Sequence, residues 1–191
     1  MVRDLTIPKG LERVDIPPEA SELPVPYFVD IFIRDAENRA EEYGDRVGSG
    51  SFIPSDTRYA FQVVQWLLRS GALTRGAALL EWGSGQGVLA IFASLLGLNA
   101  VGVEIDEVLV REATALAAHY DSKARFVHGS YDESTPGLPI YTAANRQAVY
   151  VYPWPGEERY FLHLFQATAG VGALLLMSLG PEDIRVLRKT G

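Results

Sequence analysis

Three glycines, Gly83, Gly85 and Gly87, stand at every second position between two apolar runs. Glu81 lies two residues ahead of the first glycine, and Glu104 closes the next apolar run, Ala100-Val101-Gly102-Val103. Glycines at such a turn allow backbone angles denied to other residues, and they let a ligand approach the main chain closely. A helix starting after the turn adds unpaired N–H donors. That much describes nucleotide sites in general; the spacing narrows the choice. A dinucleotide turn, G-x-G-x-x-G, would place its third glycine at position 88, which is Val88. No Gly-Lys-Ser/Thr follows, so the turn is not a phosphate loop. The Glu81 carboxylate would repel a pyrophosphate and suits a ligand carrying an ammonium or sulfonium. A nicotinamide oxidoreductase is disfavoured by both Val88 and Glu81.

The elements that must position these residues alternate along the chain. Short apolar runs at 78–81, 100–104, 125–128, 148–152 and 173–178 read as buried strands. Between them, 88–96, 106–120 and 157–168 read as helices. Strands alternating with helices give an α/β protein, with a mostly parallel, doubly wound, Rossmann-like sheet covered on both faces. Ahead of this core, Pro8, Pro17, Pro18, Pro24 and Pro26 mark residues 1–26 as an extended arm. Residues 27–43 read as a helix, and GSGS at 48–51 as a flexible break. Ser55 is placed to cap a further helix from Asp56 to Gly71, with Tyr59, Val63, Leu67 and Leu68 on its apolar face. The expectation is one domain: an arm at 1–26, helices or a lid at 27–70, and a Rossmann-like core at 77–191.

Composition sets outer limits. A chain of 191 residues with 48% hydrophobic and 21% charged content is globular and can bury a sizeable core. The absence of cysteine removes disulfides and thiolate metal sites, and fits a reducing cytoplasm. A net charge of −7 supplies no global field toward nucleic acid or an anionic membrane. The longest apolar runs are too short to span a bilayer, and the first residues lack the apolar core of a signal peptide. None of the three histidines has a partner at metal-ligand spacing, so no metal site is expected.

The G-x-G-x-G turn preceded by Glu81 resembles motif I of the class I S-adenosylmethionine-dependent methyltransferases, and the likeness runs from about Phe52 to Leu179. The resemblance implies a sheet in the order 3-2-1-4-5, with S-adenosyl-L-methionine as cofactor and S-adenosyl-L-homocysteine as product. Glu104 would bind both ribose hydroxyls, since a carboxylate can accept two hydrogen bonds from a cis-diol. Ile105 would pack on the adenine and Tyr131 stack on it. Ser130 stands where the family often has an aspartate for the adenine amino group, and Asp132 is a substitute. Tyr152-Pro153-Trp154-Pro155, ending the fourth strand, would face the transferable methyl group. Enzymes that methylate base amines carry Asp/Asn-Pro-Pro-Tyr/Phe there, so this departure argues against a nucleic-acid base. The pairing of FIPSD with EWGSGQG is more similar to small methyltransferases related to protein-lysine methylating enzymes.

These likenesses imply an unidentified methyl acceptor, a protein side-chain amine or a small molecule. Tyr152, Trp154 and Glu157 are the catalytic candidates. Each has a plainer reading: the aromatics could close the core, and Glu157 could be a first-turn acid favoured by the helix dipole. Ser55 and Asp56 could be a cap only, or part of a lid over the cofactor. The competing function is a protein that binds the cofactor or its product without catalysis. After the fifth strand only GPEDIRVLRKTG remains, enough for one short strand at 184–187 but not for the family's hairpin. That C-terminal hairpin is expected to be truncated. The sheet edge would then be completed by a second copy, giving a homodimer, or by the N-terminal arm.

Overall fold

The computed structural model describes residues 6–47, 57–130 and 147–191. The expectations for Ser55, Asp56, Tyr131, Asp132 and the 48–51 break lie outside the described residues.

Strand β2 (Ala78–Trp82) pairs in parallel with β3 (Asn99–Glu104) on one side and β5 (Gln147–Val151) on the other. Outward from these, β4 (Arg125–His128) joins β3 and β6 (Leu174–Gly180) joins β5, both in parallel. The parallel strands thus run β4-β3-β2-β5-β6, which is the expected 3-2-1-4-5 order. Leu79 and Leu80 show why such strands read as continuous apolar runs. Leu79 packs with Ala100, Ala148 and Leu176 under α2 (Thr57–Arg69) and α3 (Val88–Leu95). Leu80 points to the opposite face, with Val101, Val149 and Leu175, under Phe161, Leu162 and Phe165 of α5 (Glu158–Thr168). Both faces are dry, so both side-chain sets must be apolar. Helix α3, VLAIFASL, is apolar all round because α1 (Tyr27–Val47) lies over it. Phe32 of α1 meets Phe92 of α3 edge-on at 4.7 Å and Tyr120 at 4.6 Å.

The edge beyond β6 is closed from within. A tight turn after β6 leads straight to β7 (Asp183–Lys189), antiparallel to β6 and longer than the four residues expected. Beside β7, the last position is filled by β1 (Leu11–Val14), with Leu11 opposite Lys189 and Val14 opposite Val186. Among the described residues the sheet has seven strands, and the N-terminal arm supplies the one at this edge. The argument for a homodimer from an open edge therefore lapses. The arm is also more structured than an extended tail. Its 3-10 turn (Pro18–Glu22) packs on α2, where the buried Gln62 amide donates to the carbonyls of Ser21 and Leu23.

Candidate functional site

The chain passes from β2 to β3 and β4 on one side, then returns to β5 and β6 on the other. The order in which strands are added reverses between β2 and β5, and ligands of such sheets sit outside the carboxyl ends of the strands at that point. The glycine turn closes β2 there. Gly83, Gly85 and Gly87 have φ of 68°, 51° and 74°, all left-handed. A side chain at any of them would be strained, which is the reason for glycine at every second position. At Gly87 there is a second reason. A Cβ there would fall 2.2 Å from Cε1 and Cζ of Phe126 on β4. Phe126 also covers Gly102, where a Cβ would lie 2.7 Å from the ring and 2.6 Å from the Ser84 side chain. Sequence reasoning treated Phe126 only as a strand residue. The signal was the pair of glycines, which need something bulky against them.

Hydrogen bonds lace the turn to β3. The amides of Gly83 and Ser84 both donate to the Val103 carbonyl, at 2.9 and 3.0 Å. The Gly85 amide donates to Glu104 Oε2 at 2.9 Å, and the Asp106 amide to Glu104 Oε1 at 3.0 Å. Each carboxylate oxygen has a lone pair left over, so Glu104 keeps capacity for further donors. Asp106 caps α4 (Glu107–His119), its side chain accepting from Val108 N at 2.7 Å. Ile105, between these two acids, is 72% exposed, an apolar side chain in water at the rim of the crevice. Its carbonyl lies 2.9 Å from Nε2 of His128, at the end of β4. Ser130, two residues further on, is exposed beside this rim.

Glu81 is buried beneath the turn. Its Oε2 accepts the amide of Ala90, in the first turn of α3, at 2.9 Å. Burial pushes its carboxyl up to about 8 from an ordinary 4.5; the Ala90 bond opposes the shift, and the Glu104 charge adds to it. Two other polar residues of the turn, Ser84 and Gln86, were given no role by sequence reasoning and are buried. Gln86 bridges to α4, its amide donating to Glu112 Oε2 at 3.2 Å.

On the other side of the crevice, β5 runs into Tyr152-Pro153-Trp154-Pro155. Tyr152 is half-buried against the core under α2, alongside Val14, Ile16 and Tyr59. Trp154 is 52% exposed. The Glu157 carboxylate accepts the Trp154 amide at 3.3 Å, and the Glu157 amide donates back to the Trp154 carbonyl at 3.0 Å. Glu157 therefore fastens the turn that presents Trp154, a task its position alone did not reveal. Among the described residues, no cluster of His, Asp and Glu is arranged to hold a metal ion, and no helix is long and apolar enough to cross a membrane.

This is a doubly wound α/β protein with a glycine turn at its switch point and an acid at the end of each of its two central strands. In fold the chain is similar to S-adenosylmethionine-dependent methyltransferases. Its fold matches an RNA methyltransferase from Salinibacter ruber, solved with S-adenosyl-L-homocysteine, at a TM-score of 0.51 and 21% identity, over 66% of this chain and 88% of that one. It also matches an S-adenosylmethionine-dependent methyltransferase from Clostridium acetobutylicum at a TM-score of 0.51 and 10% identity, over 74% and 56% of the two chains. In sequence, a stretch of 68 residues is 41% identical to the ribosomal protein L11 methyltransferase of Thermus thermophilus. That stretch is 36% of this chain and spans 27% of the length of the curated relative. No protein-family model matches the sequence.

Proposed function

We propose that the chain binds S-adenosyl-L-methionine at the glycine turn and transfers its methyl group to a protein side-chain amine presented at the end of β5. The observation that carries this reading is the hydrogen bond from Gly85 N to Glu104 Oε2. It ties a left-handed glycine turn to a carboxylate that still has lone pairs for a diol. The residues fit the cofactor in other respects. Ile105 offers an exposed apolar surface for a flat ring, with Ser130 exposed past the end of the neighbouring strand. Glu81 places an acid behind the turn, suited to a cation. The local identity to a ribosomal-protein methyltransferase supports a protein acceptor.

When bound, the cofactor supplies an electrophilic methyl group on a sulfonium whose leaving group is a neutral thioether. The protein has little covalent work to do; it must align the acceptor and exclude water. Gly83, Gly85 and Gly87 let the main chain come close, and Glu104 fixes the ribose. Tyr152 and Trp154 wall the acceptor side, held rigid by Pro153, Pro155 and the Glu157 clamp. An amine acceptor must arrive neutral or give up its proton; the exposed Glu157 carboxylate is the group on this wall able to take it, while the Tyr152 hydroxyl can orient the amine by a hydrogen bond.

The test is incubation with methyl-labelled S-adenosyl-L-methionine and separated protein, RNA and small-molecule fractions of a cell extract. Label in the protein fraction, lost in Gly85→Val, is expected. Label confined to the small-molecule fraction would replace the protein acceptor with a metabolite. Cofactor binding without label in any fraction would make the chain a binding protein.

A further inference from the structure

Two acids of the site face the same turn, and they are not equally provided for. Glu104 is 8% exposed and has two backbone donors, from Gly85 and Asp106. Glu81 is 6% exposed and has one, from Ala90. Among the described residues, the elements around Glu81 bring it no positive charge. In the parallel register it lies between Gly102 of β3 and Tyr150 of β5. Helix α3, which supplies its donor, contains no titratable residue. The buried face of α2 is Ala60, Phe61, Gln62, Val63, Val64 and Leu67, all uncharged. Gln86 in the turn is neutral, and among the described residues the charged group acting on Glu81 is the Glu104 carboxylate. A buried carboxylate beside a second one is costly to ionise without a cation. Glu81, with a single backbone donor against the two of Glu104, is the less well provided to carry a charge.

We propose that Glu81 is a charge-switching counter-ion: its carboxyl is protonated in the free protein and releases that proton when a cationic group enters the glycine turn. The cation is the ammonium or the sulfonium of the cofactor, so this inference rests on the proposed cofactor. On binding, the O–H bond of the Glu81 carboxyl breaks, its electron pair stays on the carboxylate, and the proton passes to buffer. The burial that raises Glu81 to about 8 agrees with this and sets the stoichiometry. At pH 7 a group titrating at about 8 is roughly nine-tenths protonated, so about 0.9 proton should leave per cation bound. Binding of a cation would then strengthen up to tenfold per pH unit as the pH rises toward 8.

The experiment is titration calorimetry at pH 7 in phosphate and in Tris, buffers of different ionisation enthalpy. The ligands are S-adenosyl-L-methionine, S-adenosyl-L-homocysteine and 5′-methylthioadenosine, the last with no cation. Each is bound to the wild-type protein and to Glu81→Gln, which keeps an acceptor for Ala90 N. The two amino-acid ligands should release about 0.9 proton more from the wild type than from the variant, cancelling any proton exchanged by the ligand itself. 5′-Methylthioadenosine should show no difference. A difference confined to S-adenosyl-L-methionine would assign the cation to the sulfonium; one shared with S-adenosyl-L-homocysteine would assign it to the ammonium. Equal release from both proteins overturns the proposal while leaving the cofactor standing. Binding of none of the three to the wild type overturns both. Should Glu81→Gln not fold, infrared difference spectroscopy of the wild type alone decides. The carboxylic-acid carbonyl band should vanish when S-adenosyl-L-methionine is added, and its persistence overturns the proposal.

Discussion

The amide of Gly85 donates to the Glu104 carboxylate at 2.9 Å, joining the glycine turn to the end of the neighbouring strand. The two residues are nineteen positions apart in sequence, and this bond makes them one unit. The turn cannot shift without disturbing the acid, and the acid cannot be removed without leaving the Gly85 and Asp106 amides short of an acceptor.

Glu104→Ala should therefore abolish cofactor binding at modest cost to the fold. A ligand at 100 times its dissociation constant adds about 2.7 kcal/mol, or roughly 5 to 10 °C in the unfolding midpoint of a chain this size. The wild type should show that shift with S-adenosyl-L-homocysteine, and the variant none. Unaided, the variant should lose about 1 to 3 kcal/mol, the cost of leaving a buried donor unmet. An undiminished shift in the variant would remove Glu104 from the site.

Gly87→Ala should be far more damaging than a methyl group suggests. The residue sits at φ 74°, and the new Cβ would meet the Phe126 ring at 2.2 Å. Backbone strain and overpacking each cost about 1 to 3 kcal/mol. Adding Phe126→Leu should recover the packing part and leave the strain. Urea unfolding of both variants measures the two contributions; a double variant no better than the single one would mean that Phe126 does not press on Gly87.

The buried Glu81 makes a prediction about pH in the free protein. Unfolded, its carboxyl titrates near 4.5; folded, near 8. Between these values the folded form holds a proton that the unfolded form has lost. Stability should fall as pH rises from about 4.5 to about 8, by up to about 1.4 kcal/mol per unit from this group, and then level off. Glu81→Gln should flatten that limb. Its curve should meet the wild type's at low pH and lie above it at pH 8. Parallel curves would show that Glu81 is charged in the free protein.

The parallel core was legible because both its faces are dry. ALLEW and AVGVE are almost wholly apolar, and the acid at or next to the last position of each lies at the same edge of the sheet. The glycine turn was legible because the left-handed geometry demands its residue type. The position of β1 was not. LERV is four residues long with two charges, and its partner β7 lies at the other end of the chain. Pairing across that separation leaves no local pattern. The Glu157 clamp was hidden for another reason: an acid at a helix start has a sufficient explanation in the helix dipole, and its bond to Trp154 depends on the preceding proline-rich turn.

Removing the arm tests what β1 does for the sheet. Leu11 is buried, and β1 pairs with β7 along all four of its residues. Deletion of residues 1–15 uncovers β7, a seven-residue strand with a free row of backbone donors and acceptors. By contrast β1 is a poor template for further pairing, being short, charged at Glu12 and Arg13, and flanked by Pro8 and Pro17. The truncated protein should self-associate in a concentration-dependent way in sedimentation velocity, and Ile184→Lys would not cure it, because that side chain points into the core rather than along the edge. Val186→Pro should, at some cost in stability, since it removes a backbone donor that the deletion exposes: Val186 pairs with Val14 on the β1 side. A truncated protein that stays monodisperse at all concentrations would show that β1 contributes packing alone.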